Sequence, residues 1–320
     1  MMGRRASLLL PAAGIAVLAI IAGAACGGGD GSGPTNGGEA SPTVAAGDGA
    51  AAAGLRIVTS LGIFADFARE VGGDRVEVTS LLPPGADPHT FEATAGDVRA
   101  VAEADLVLVN GVGLEGRLGD TIAANVRDEK RIVYLSGVPP WAKIAVDDPH
   151  FWLDATQAAQ YAARISDALV EADPDNAGYY VERGRDYAGR LRQLDLDILQ
   201  KIASIPQERR LVITYHKSFS AFAARYGLEV AGYVVASPGG DASPGDVGDL
   251  VNEIRDRGIP AVFNEPQLNA PVLQQIADDS GAQVCTLYSD ALDDRAATYV
   301  DMMRFNADEL ARCLGGEGGG

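Results

Sequence analysis

His89, His150 and His216 are the only histidines in the chain, and each follows an apolar run that reads as a β-strand. Two of them share a local frame, Asp87-Pro88-His89 and Asp148-Pro149-His150. A fourth polar residue, Asp290, follows the last strand-like run in Leu287-Tyr288-Ser289-Asp290. Three imidazoles and one carboxylate can enclose a divalent transition metal: imidazole suits zinc, and carboxylate also tolerates manganese. Four protein ligands leave no open position for an activated water, so the set points to binding rather than hydrolysis, and no His-Glu-x-x-His stretch offers a catalytic alternative. Taken singly, each residue has a plainer reading. A loop histidine is often a surface residue, and an aspartate after a strand is often a helix cap. Taken together, with no histidine left over, they point to a metal site.

The elements that must position these residues alternate in type. Strand-like runs at 55–60, 75–82, 105–110 and 131–135 are separated by helical patterns, and the rhythm resumes with strands at 210–215, 228–235, 261–264 and 283–288. Such alternation predicts an α/β fold with two lobes, each a roughly four-stranded parallel sheet flanked by helices. The four candidate ligands fall beyond the carboxyl ends of strands, where open α/β sheets bind their ligands. Two come from each half, as a site in a cleft between lobes requires.

Between the halves the pattern is helical. Residues 154–172 read as one helix, Asp173-Pro174 breaks it, and a second runs from Pro174 to about Ser204. At 1.5 Å per residue that second helix spans roughly 45 Å, enough for a backbone helix joining two lobes. The alternative is two shorter helices kinked near Gly184 or Gly189.

Before residue 55 the chain reads as targeting sequence rather than fold. Arg4 and Arg5 precede an apolar run, and Gly23-Ala24-Ala25-Cys26 resembles a bacterial lipobox, with Gly23 where leucine is usual. Residues 1–25 are thus expected to be a signal peptide, with an uncleaved membrane anchor as the alternative. Cys26 is the expected lipidation site, and residues 26–54, rich in Gly, Ala, Ser and Thr, are a tether. The remaining boundaries are an N-terminal lobe 55–172, a connecting helix 173–205, a C-terminal lobe 206–314 and a disordered tail 315–320. A formal net charge of −18 argues against a nucleic-acid partner. Cys285 and Cys313 remain, either as two buried thiols or as a disulfide suited to an oxidising compartment.

GADPHTFE around His89, NGVGLE at 110–115, DPHFWLD around His150, TYHKSFSAFAARYGLEV around His216 and FNEPQ around Glu265 resemble the metal-binding lipoproteins of bacterial zinc and manganese ABC importers. The resemblance spans about residues 55–314. It implies two α/β lobes about a long helix, a metal carried between them by His89, His150, His216 and Asp290, and no enzyme activity. It further implies an extracytoplasmic, membrane-anchored or periplasmic location, a permease with a cytoplasmic ATPase as partner, and a monomer. Histidine at the third ligand position is similar to zinc-type members, so Zn2+ is the expected cargo, with Mn2+ or both metals as the alternative. A metal-stabilised adhesin and an exported zinc hydrolase are more distant alternatives. The mobile loop rich in His and acidic residues that many zinc members carry is absent from this sequence. Cys285 and Cys313 are placed like the disulfide of some zinc-type members. Glu92, Glu115 and Glu265 are candidates to accept the distal N–H of a ligand histidine, fixing its tautomer; otherwise each is a helix cap or a surface charge. Because metal must displace protons from imidazole, zinc affinity is expected to fall below about pH 6.

Overall fold

The computed structural model describes residues 54–139, 146–268 and 271–315. The expected signal peptide, Cys26, and all but the edges of the tether and tail lie outside these residues. Among the described residues no helix is long and apolar enough to cross a membrane.

The first lobe runs β1 (Leu55–Thr59), α1 (Gly62–Gly72), β2 (Val76–Ser80), α2 (Ala95–Glu103), β3 (Leu106–Val109), α3 (Gly116–Asn125) and β4 (Ile132–Tyr134). Its strands form one parallel sheet in the order β2-β1-β3-β4. After α4 (Ala155–Ala172) and α5 (Ala177–Ala203), the second lobe runs β5 (Leu211–His216), α6 (Ser220–Tyr226), β6 (Glu229–Val235), α7 (Pro244–Arg257), β7 (Ala261–Asn264), α8 (Pro271–Ser280), β8 (Gln283–Thr286) and α9 (Tyr299–Leu314). Its sheet repeats the arrangement as β6-β5-β7-β8, again parallel. Helices cover both faces, which is why β3 reads as a continuous apolar run, LVLV, with every residue buried.

One core passes through both halves. Phe64 and Phe67 of α1 meet Trp152, Tyr161 of α4, Tyr187 of α5 and Tyr299 of α9, with Phe67 and Tyr299 stacked edge to face at 4.8 Å. Helix α5 is continuous through Gly184 and Gly189. Gly184 is there for packing: a Cβ on it would stand 2.8 Å from the Cβ of Ser166 on α4. A Cβ on Gly189 would meet only the Arg192 guanidinium, at 3.8 Å, an ordinary contact. Charged pairs tie α5 to both halves, Arg190 to Glu70 of α1 and Arg225 of α6 to Asp195 of α5.

Several boundaries differ from the sequence pattern for local reasons. Helix α3 begins at Gly116 rather than at Leu114, because residues 110–115 form a tight loop around the Glu115 carboxylate. Val112 is held there at φ 49°, between Gly111 and Gly113, which also have positive φ. Strand β8 ends at Thr286, short of Tyr288, because the Tyr288 amide leaves the sheet to donate to Asn306 of α9 at 2.8 Å.

Candidate metal centre

All four candidate ligands lie at or beyond the carboxyl ends of strands. His89 sits on the loop after β2, where Pro83 and Gly85 (φ +74°) turn the chain and Asp87 Oδ1 accepts the His89 amide at 3.0 Å. Asp148 repeats that device at His150, accepting its amide at 3.0 Å. His216 is the last residue of β5, and Asp290 follows β8. His150, His216 and Asp290 are buried, and His89 is half-buried.

The four side chains converge. One ligand atom from each of His89, His150, His216 and Asp290 lies within 4.8 Å of all the others. The Nε2 atoms of His150 and His216 are 3.3 Å apart, and Asp290 Oδ1 is 3.2 Å from His150 Nε2. A tetrahedral zinc site with Zn–N of 2.0–2.1 Å has ligand–ligand edges of about 3.3 Å, so this spacing already has the right size. His89 Nε2 and Asp290 Oδ1 are buried without a hydrogen-bond partner. Orphaned buried polar atoms are uncommon in proteins, and here two of them face the same point.

Carboxylates set the outer edges of two rings. Asp148 Oδ1 is 2.6 Å from His150 Nδ1, and Glu265 Oε1 is 2.6 Å from His216 Nδ1. Each acid favours a ring hydrogen on Nδ1, so that the Nε2 lone pair faces inward once metal displaces the second proton. The electrostatics follow. Burial works to lower the pKa of His150, but the carboxylates of Asp290 and Asp148 outweigh it and push it up to about 10. Burial likewise opposes the rise at His216, where Glu265 prevails. His89 moves the other way, lowered by burial and by its two imidazole neighbours. Burial works to raise Asp148, but its hydrogen bonds and charge attraction to His150, with the Ser220 contact, together hold it down at about 2. Asp290 is depressed for the same kind of reason.

The three glutamates expected around the ligands separate. Glu265 meets the His216 ring. Glu115 does not: it is buried and accepts from the amides of Asn110 and Gly111 and from Ser60 Oγ at 3.0 Å. Its influence on His150 is indirect, since Asn110 Nδ2 donates to the Pro149 carbonyl at 3.0 Å and Asn110 Oδ1 accepts from Tyr161 at 2.6 Å. Glu92 is exposed and paired with Arg117 at 3.1 Å, a surface ion pair with no ring in reach. The residue that does serve His150 is Asp148. The repeated Asp-Pro-His frame was its visible signal, although only one of the two frames puts the carboxylate on the ring.

A second His/Cys/acid cluster, Cys285, Glu309 and Cys313, occurs away from this centre. There the two cysteines are joined in a disulfide between β8 and α9.

Comparison with known proteins matches residues 57–313 to the family described as zinc-uptake complex component A, periplasmic. The chain is 32% identical over 267 residues to the manganese-binding lipoprotein MntA of Halalkalibacterium halodurans, covering 82% of this chain and 89% of that protein. It is also 32% identical over 272 residues to the zinc-binding protein TroA of Treponema pallidum, covering 81% and 88% respectively. The solved structure of the periplasmic zinc-binding protein TroA superposes with a TM-score of 0.76 at 30% identity, covering 82% of this chain and 99% of that one.

Proposed function

Because the chain belongs to the zinc-uptake complex component A family, the metal-binding proteins of ABC importers, we propose that it captures Zn2+ outside the cytoplasm and hands it to a membrane permease driven by a cytoplasmic ATPase. It performs no covalent chemistry. The ligands in this reading are His89, His150, His216 and Asp290. One observation carries it: three imidazole nitrogens and a carboxylate oxygen meet within 4.8 Å, and carboxylates turn two of the rings inward. An N3O set of this size suits four-coordinate zinc.

The reading extends to the rest of the chain. Residues 1–25 direct export, a lipid on Cys26 anchors the protein through residues 26–54, and residues 55–172 and 206–314 form two lobes about a connecting helix at 173–205. The protein acts as a monomer. Manganese, or both metals, is the second reading, because relatives of equal identity are named for each metal.

Chelator-competition titration of the metal-free protein with Zn2+ and then Mn2+ tests the proposal. One tight zinc site, much weaker for manganese and lost in His89→Ala, supports it. Comparable affinity for the two metals selects the second reading, and no stoichiometric site for either metal overturns both.

A further inference from the structure

We infer that Ser289 sets the metal selectivity of this centre by holding Asp290 to a single coordinating oxygen. The inference rests on the metal-receptor reading above and adds to it a residue that touches no metal. Asp290 is fully buried, and its two oxygens have different surroundings. Oδ1 has no hydrogen-bond partner and faces the imidazoles, with His150 Nε2 3.2 Å away. Oδ2 is 3.6 Å from His216 Nε2, so it too can reach the centre, but it also lies 2.9 Å from Ser289 Oγ, which can donate to it.

Ser289 Oγ has one hydrogen and stands between two carboxylates, since it also lies against Glu265 Oε2. Gln267 decides where that hydrogen goes. Its Nε2 donates to Ser289 Oγ and to Glu265 Oε2, at 3.1 Å in each case. A donor therefore already serves those two oxygens, and Glu265 Oε1 is occupied by His216 Nδ1. Among the described residues, Asp290 Oδ2 has Ser289 as its one hydroxyl donor. Leaving a buried carboxylate oxygen unserved costs more than leaving a satisfied one with a donor fewer, so the hydroxyl hydrogen belongs on Oδ2. The serine is itself fixed, because its carbonyl accepts from Trp152 Nε1 at 2.8 Å.

The consequence is chemical. An aspartate that offers only Oδ1 completes a four-coordinate N3O set, the geometry zinc takes. Manganese favours more oxygen ligands and higher coordination, and the second Asp290 oxygen is the nearest supply. Taking the hydrogen off Oδ2 opens that supply.

The test is a zinc–manganese competition on the intact protein, wild type against Ser289→Ala, Ser289→Gly and Ser289→Thr, together with the visible spectrum of each cobalt-loaded form. Wild type and Ser289→Thr should show the intense bands of tetrahedral Co2+. Ser289→Ala and Ser289→Gly should show weaker bands of higher coordination and lose about tenfold or more of the preference for zinc, the scale on which outer partners act. Unchanged selectivity in both hydroxyl-free variants overturns the inference, as does changed selectivity with an unchanged cobalt spectrum. If the wild type itself takes up no stoichiometric metal, the receptor reading has failed instead. Because Ala and Gly relax differently, a folding defect in one leaves the other to decide.

Discussion

Asp148 reaches both halves of the molecule at once: its Oδ1 is 2.6 Å from His150 Nδ1, while its Oδ2 accepts the amide of Ser220, the first residue of α6, at 2.9 Å. The orientation of one candidate ligand is thereby coupled to a contact with the second lobe. The neighbouring Asp147–Lys217 pair makes the same crossing at the surface.

Asp148→Asn should therefore weaken zinc binding by about 10–100-fold, the usual cost of losing a carboxylate behind a ligand histidine. Isothermal titration would measure it. Unaltered affinity would show that the His150 ring is oriented without this acid.

Glu265→Gln should weaken zinc binding by about tenfold through His216, whereas Glu92→Gln should leave it unchanged because Glu92 meets only Arg117. Side-by-side titration of the two variants separates a carboxylate on a ring from a surface charge. Equal losses would contradict this assignment.

The metal-free centre should hold a proton well above the ordinary imidazole range. The pKa of His150 is raised in the folded protein, so its protonated form contributes stability below about pH 6.5 and that contribution is lost as pH rises through the raised value. Metal must expel this proton, so zinc affinity should keep rising with pH above 7 rather than levelling off near pH 6. Calorimetry at pH 7.5 in buffers of different ionisation heat would read proton release directly. A site that releases no proton there would refute the prediction.

Replacing Cys285 and Cys313 by serine should lower stability by about 3–4 kcal/mol, since the bridge closes a loop with a sequence separation of 28 residues. Metal stoichiometry should not change. Denaturant melts and zinc titration of the double variant check the two halves of this statement.

Two glycines of α5 should respond in opposite directions. Gly184→Ala should destabilise by about 1–3 kcal/mol, because the new methyl meets Ser166. Gly189→Ala, whose new methyl meets only the flexible end of Arg192 at 3.8 Å, should stabilise by about 0.5–1 kcal/mol through helix propensity. Thermal melts of the two variants would compare the signs.

Much of this molecule is legible from sequence because periodicity is local. The alternation of apolar runs with helical patterns specifies two βα lobes, and Pro174 followed by nearly thirty residues of helical spacing specifies the long helix. Three histidines after strands, with Asp290, mark the carboxyl ends of both sheets. Sequence alone could not pair acids with rings. Glu92, Glu115, Glu265 and Asp148 are all carboxylates near ligand motifs, and which of them touches an imidazole depends on loop geometry. Glu115 is spent on the amides of its own loop, Glu92 faces water, and Asp148 folds back across its proline onto the ring. The different surroundings of the two Asp290 oxygens likewise appear only when Ser289, Gln267 and Glu265 are brought together from two separate loops. Local pattern decides which residues reach the end of a strand. Only the packed lobes decide which lone pair points inward, because that choice is made by hydrogen bonds between residues far apart in the chain.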